Sequence, residues 1–236
     1  MLFRSLLVFA AAVAAIVPAR AQSPAYLSQV DHLLYATPDL DRGVAEIERL
    51  LGVHASPGGQ HLGFGTRNAL LSIGPLIYLE IIGPDPAQPK PAGPRRFGVD
   101  DLKAPQLIGW VGRATELDAL VARARANGIA MGDALSGGRQ QPDGTMLSWK
   151  YIDPAVIVEH RLIPYFMDWG TSPHPATTSA KGARLVGLRA EHPDPARIEK
   201  MLRVLNLDVP VSRGSQPMLI ATLEGTKGRV ELRGAQ

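Results

Sequence analysis

The feature that most constrains this chain is a strand-then-helix unit that occurs three times. The first copy reads Val30-Asp31-His32-Leu33-Leu34-Tyr35, then Thr37-Pro38-Asp39, then a stripe of Leu40, Val44, Ile47, Leu50 and Leu51. That spacing is one apolar helix face, with Thr37 or Asp39 as N-cap and Gly52 placed to end it. The second copy runs from residues 107–111 through Thr115-Glu116-Leu117-Asp118, close to a capping box, into Leu117, Leu120, Val121 and Ala124, closed by Asn127-Gly128. The third runs from residues 185–188 through His192-Pro193-Asp194-Pro195 into Ile198, Met201, Leu202 and Leu205. There Asp194 is the expected cap, Pro195 the first helical residue, and Asn206 the stop.

β-type segments follow each helix, at residues 61–64, 69–73 and 76–82, then 146–152 and 163–169, then 218–223 and 229–232. Turn-rich joints separate the copies. Residues 83–98 hold five prolines, and residues 170–182 are polar with Pro173 and Pro175. The expected class is α+β, with a β-α-β-β-β unit near 29–83, a second near 106–170, and a third, partial one over 183–236. One such unit cannot cover its own sheet face, so units must pair and enclose a concave surface. An odd number leaves one face to be covered within the chain or across a homodimer.

The amino terminus is a different kind of sequence. Arg4, an apolar run over residues 6–17, Pro18 and Ala19-Arg20-Ala21 make an export leader with a small-x-small cleavage site. The run is too short to cross a bilayer as a helix. Cleavage after Ala21 leaves Gln22 first, with 23 basic and 22 acidic residues and a net charge of +1. No basic cluster is interleaved with aromatics, so nucleic acid is not an expected partner, and no membrane association is expected after cleavage. The absence of cysteine excludes disulfides and thiolate chemistry. With the leader, it suits a periplasmic or secreted protein. No G-x-S-x-G or Ser-x-x-Lys stands in the chain, which argues against a serine acyl-enzyme, and no phosphate-binding loop or nucleotide fingerprint is present.

Asp31-His32-Leu33 opening a strand, Pro38-Asp39-Leu40 opening a helix, the run GGQHLGFGTRN over 58–68, and Tyr78-Leu79-Glu80 together resemble the glyoxalase-like branch of the vicinal-oxygen-chelate superfamily. Pro142-Asp143-Gly144 and the run from Pro164 to Gly170 agree, so the resemblance covers roughly 29–176. It implies paired βαβββ modules around a U-shaped cleft, and one divalent ion (Zn, Mn, Fe or Ni) held by His and Glu/Gln side chains. His32 and Glu80 match the first-strand and last-strand ligand positions of the first module. In the second, Gly109 falls opposite His32. Matching closing glycines sets Met167 against Glu80, whereas matching aromatics sets Asp168 there. In the third, Glu231 matches Glu80 and Leu188 matches His32.

His61 has two readings, a third ligand or a local hydrogen bond in a glycine-rich turn. Thr66, Arg67 and Asn68 offer a hydroxyl, a cationic fork and an amide, with Arg67 as a clamp for a carboxylate or carbonyl. Arg139 and Trp149 are substrate-binding candidates from the second module. His54, His160, His174 and His192 flank turns or strand ends and read as surface residues. The expected activity is that of a metal-dependent isomerase or lyase on a small oxygen-chelating substrate, with Glu80 and Arg67 in the chemistry. The alternatives are a metal-free binding protein using the same cleft, and a degenerate cleft whose third unit serves dimerisation.

Overall fold

The computed structural model describes residues 24–140, 144–153 and 155–234; the expected leader over 1–21 lies outside the described residues. Among the described residues no helix is long and apolar enough to cross a membrane. The first module is β1 (Val30–Ala36), α1 (Leu40–Leu51), β2 (Ser56–His61), β3 (Thr66–Gly74) and β4 (Ile77–Pro84). The second is β5 (Gln106–Arg113), α2 (Leu117–Ala126), β6 (Ala134–Gln140), β7 (Met146–Ile152) and β8 (Tyr165–Asp168). The third is β9 (Arg184–His192), α3 (Pro195–Val204), β10 (Val211–Arg213), β11 (Met218–Gly225) and β12 (Gly228–Arg233). The α+β class and the paired βαβββ architecture are as expected, whereas the third module, expected as partial, has the full β-α-β-β-β order because of the short strand β10.

The helix signals act as read at α1 and α3. The Asp39 side chain accepts from the Arg42 N–H and Asp194 from the Arg197 N–H, each satisfying an orphan donor of the first turn. Gly52, at φ 74°, ends α1. The capping box expected before α2 does not form: its N-cap is Glu116, at φ 52°, with no side-chain cap bond.

The first two modules make one sheet in the order β2-β3-β4-β1-β5-β8-β7-β6, and the third makes a second sheet, β10-β9-β11-β12. The halves of the large sheet join where β1 runs antiparallel to β5, with Leu33 opposite Trp110, His32 opposite Val111 and Leu34 opposite Gly109. A twofold through the Leu33–Trp110 pair therefore exchanges His32 with Gly109 and Leu34 with Val111. Trp110 is buried and donates from its indole to the Leu162 carbonyl at 3.0 Å. Leu33, Leu79 and Trp110 belong to one apolar core with Ile47 of α1, Leu120 of α2, and Leu188 and Leu223 of the second sheet. The helices and the third module thus cover the back of the large sheet. Its front curls into the cleft.

Two strands, β6 and β10, escaped the sequence reading, and the segment expected at 61–64 is instead the turn that follows β2, which ends at His61. β6 carries Gly137 and Gly138, which weaken any strand signal. The ladder needs Gly137: a Cβ there would stand 2.7 Å from the Trp149 Nε1 and 3.1 Å from Tyr151. We expect Gly137→Val to push Trp149 off its strand at a cost of about 1–3 kcal/mol, read as a lower Tm and altered tryptophan fluorescence.

Candidate active site

The concave face encloses a cavity of about 310 Å³. Strand alternation decides which residues reach it. On β1 the inward residue is His32; on β3, Thr66, Asn68 and Leu70; on β4, Tyr78 and Glu80; on β7, Trp149 and Tyr151; on β8, Tyr165 and Met167.

Asp31, fully buried, fixes His32 from behind. Its carboxylate can only accept, so His32 Nδ1 carries a proton and donates to Oδ1 at 2.8 Å. Trp169 Nε1 donates to the same oxygen at 3.2 Å, and His174 Nε2 to Oδ2 at 3.2 Å. His174 can donate there because its Nδ1 accepts from the Ala176 N–H. Burial alone would raise the Asp31 pKa, but the hydrogen bonds from His174 and His32 outweigh it and hold the carboxyl far below the usual range. Tyr78 stacks on the His32 ring, with centroids 4.5 Å apart.

With Nδ1 committed to Asp31, His32 turns its Nε2 to the cleft. That atom is buried and has no hydrogen-bond partner. It faces Glu80 Oε2 at 3.6 Å. On the other side, His61 Nε2 faces Glu80 Oε1 at 3.7 Å. Asn68 Nδ2 donates to Glu80 Oε1 at 2.6 Å and to His61 Nε2 at 3.3 Å, so that nitrogen accepts with its lone pair, and His61 Nδ1 donates to the Thr66 hydroxyl at 3.0 Å. Burial lowers the His61 pKa; Glu80 opposes this, Arg139 and Arg96 add to it, and the ring stays neutral. Gly58 gives Asn68 its room, since a Cβ at 58 would fall 2.1 Å from Asn68 Oδ1.

Other expected site residues lie elsewhere. Arg67 points to the opposite face of β3 and pairs with Asp41 at 3.2 Å, so it is not a clamp in the cleft. Asp168 turns away and accepts from the Gly170 N–H at 2.8 Å. Neither proposed match to Glu80 survives the observed register. Leu34 pairs with Glu80, and Val111, the image of Leu34, pairs with Tyr165, so Tyr165 is the image of Glu80. The image of His32, Gly109, is covered by the Arg161 side chain, 3.2 Å from where its Cβ would be. His174 and His192, read as surface residues, are both buried.

The second module instead supplies Arg139, Trp149, Tyr151 and Tyr165. The proline-rich joint, read only as a connection, closes the cleft with Arg96 and Phe97. Arg95 anchors it by donating to the Gly65 carbonyl at 2.7 Å and pairing with Asp100 at 2.6 Å.

Among the described residues no three His, Asp or Glu side chains are drawn tightly enough to enclose an ion. His32, His61 and Glu80 nevertheless fit a divalent ion in kind. Two imidazole lone pairs and a carboxylate converge, and one buried nitrogen is left unpartnered.

A model of the glyoxalase-like domain family matches residues 30–205. No curated protein matches the chain. Among solved structures, a hypothetical protein from Staphylococcus aureus is 14% identical with a TM-score of 0.58, covering 86% of this chain and 84% of that one. Methylmalonyl-CoA epimerase from Mycobacterium tuberculosis is 18% identical with a TM-score of 0.40, over 68% of this chain and 98% of that one.

Proposed function

The chain belongs to the glyoxalase-like domain family, and from that premise we propose that its cleft is the active site of a divalent-metal-dependent isomerase or lyase for a small substrate with two neighbouring oxygens. The observation that carries this is the buried, unpartnered Nε2 of His32 facing the Glu80 carboxylate, with the His61 lone pair on its other side. A buried imidazole nitrogen left without a partner and facing a carboxylate beyond hydrogen-bond length is a place where a cation would be held favourably. His32, His61 and Glu80 would hold the ion, which supplies Lewis acidity toward a substrate oxygen.

This chain's own groups do the rest. Asp31 keeps the His32 proton on Nδ1, and Asn68 orients Glu80. Burial, with Glu80 adding to it, raises the Tyr165 pKa, so its phenol stays protonated and can donate to a substrate oxygen. Glu80 is the carboxylate within the cleft able to accept a proton from carbon.

Metal analysis of the purified chain beside His32→Ala, Glu80→Ala and Asp168→Asn tests the reading. The expected result is one divalent ion per chain, bound about 100-fold or more weakly by the first two variants and normally by the third. No ion after reconstitution with Zn, Mn, Fe or Ni would overturn it in favour of a metal-free binding cleft.

We further propose that the protein is exported and works in the periplasm or outside the cell. Amino-terminal sequencing of protein from the expressing cells should begin at Gln22, and a chain keeping residues 1–21 would refute this.

A further inference from the structure

The walls of the cleft select a ligand more narrowly than the fold does. Two guanidiniums reach it, Arg96 and Arg139, and neither has a carboxylate within ion-pair distance among the described residues. Many arginines outside the cleft do, including Arg67, Arg95, Arg113, Arg125 and Arg184. Arg139 is only 7% exposed, and among the described residues the one acid lining the cleft is Glu80. Among the described residues two cations thus share the cleft with a single carboxylate, an arrangement that a ligand bringing an anion would complete.

The rest of the lining is flat and aromatic. The Arg96 guanidinium lies over the Phe64 ring, 4.0 Å from its centroid, and 5.6 Å from that of Tyr151. Its two terminal nitrogens share only the Tyr151 hydroxyl, each at a long 3.4 Å, so a pair of carboxylate oxygens would satisfy that N–H edge better. Phe97 adopts φ 66°, a conformation that strains a bulky residue, and lies stacked against Tyr165 with centroids 6.3 Å apart. Trp149 and Trp169, also in the lining, meet with centroids 5.2 Å apart.

We infer that the cleft takes a small aromatic carboxylic acid, its ring among Phe97, Trp149, Tyr151 and Tyr165 and its carboxylate on Arg96 and Arg139. The inference rests on the reading of this cleft as the small-molecule site and deepens it. A cavity of about 310 Å³ suits a single-ring acid. The fork of a guanidinium matches a carboxylate in two parallel hydrogen bonds, and aromatic walls reward a flat ring over an aliphatic chain of equal length.

The test is binding by calorimetry and by quenching of Trp149 and Trp169, using the full chain with benzoate, phenylacetate and mandelate, each against its primary amide. Lactate replaces mandelate without the ring, and phenyl phosphate replaces the carboxylate. At least one acid is expected to bind about tenfold or more tightly than its amide, and mandelate to exceed lactate by a similar factor. Arg96→Gln and Arg139→Gln, each confirmed folded by its Tm, should erase the acid-over-amide preference. Amides equal to acids, lactate equal to mandelate, phenyl phosphate tighter than every acid, or no binding at millimolar concentration would each overturn the inference. Titrations with and without a chelator separate it from the metal reading. Acid preference in a chain that binds no ion removes the metal and keeps the aromatic acid. An ion lost in His32→Ala, together with amides equal to acids, does the reverse.

Discussion

Replacing Asp31 with alanine is expected to cost about 3–5 kcal/mol of stability, because it strands buried donors that have no water to turn to. The Asp31 carboxylate takes His32 Nδ1, Trp169 Nε1 and His174 Nε2, and Arg113 Nε lies 3.6 Å from it. Asp31, His32 and His174 are all under 9% exposed, so little solvent can replace what is lost. Asp31→Asn keeps one acceptor oxygen and should fall between wild type and alanine. Asp168→Asn is the contrast: a partly exposed carboxylate with a single bond to the Gly170 N–H, expected within about 0.5 kcal/mol of wild type. Urea denaturation of the metal-free protein measures all three. A loss below about 1 kcal/mol for Asp31→Ala would mean that the donors find other partners and that His32 is not held from behind.

That network also shows what a sequence can and cannot disclose. The Asp39 cap, the Gly52 stop and the Asp194-Pro195 start are local chemistry, so α1 and α3 were legible to within a residue or two. His32 and Glu80 were named together only through the family resemblance, and the parallel pairing of β1 with β4 brings their side chains to 3.6 Å. His174 was not. It lies 143 residues from Asp31 in a polar connection, and nothing local separates it from a surface histidine; only the return of that segment under β1 buries it. Arg96 and Phe97 were hidden for the same reason, since five prolines read as a linker and the fold uses them as a wall.

The errors at Asp168 and Arg67 have another origin. A strand turns alternate residues to opposite faces, so an offset of one residue exchanges cleft for exterior. Closing glycines and aromatics could not fix that offset, whereas the ladder between β5 and β8 does. The same ladder shows how the two modules have diverged. The first keeps the lone pairs and carboxylate, and the second has glycine and tyrosine in the equivalent places and contributes recognition surface.

The second large effect is expected at the junction of the first and third modules, where Gly225→Val should cost about 3 kcal/mol or more. A Cβ at 225 would stand 2.2 Å from the Leu51 carbonyl oxygen and 2.9 Å from its Cα, and this is backbone that cannot rotate away. The contact matters because the turn between β11 and β12 docks on the end of α1. The Thr226 N–H donates to the Leu51 carbonyl at 2.8 Å, the Lys227 ammonium reaches the Arg49 carbonyl at 3.3 Å, and a side chain at Gly52 would collide with the Thr226 hydroxyl. These bonds satisfy carbonyls that the helix end leaves without partners. In a chain of this size the loss corresponds to a fall in Tm of roughly 6–12 °C. Gly228→Ala, at φ 106° with open space around it, carries backbone strain alone and should cost about 1 kcal/mol. Because Leu188 and Leu223 of the third module share one core with Leu33, Leu79 and Trp110, loosening the hairpin uncovers the back of the strands that carry His32 and Glu80. Calorimetry of Gly225→Val should therefore show a single lowered transition, with ligand or metal binding lost in the same step. Two separate transitions, with binding surviving the first, would instead make the third module an independent appendage to the cleft.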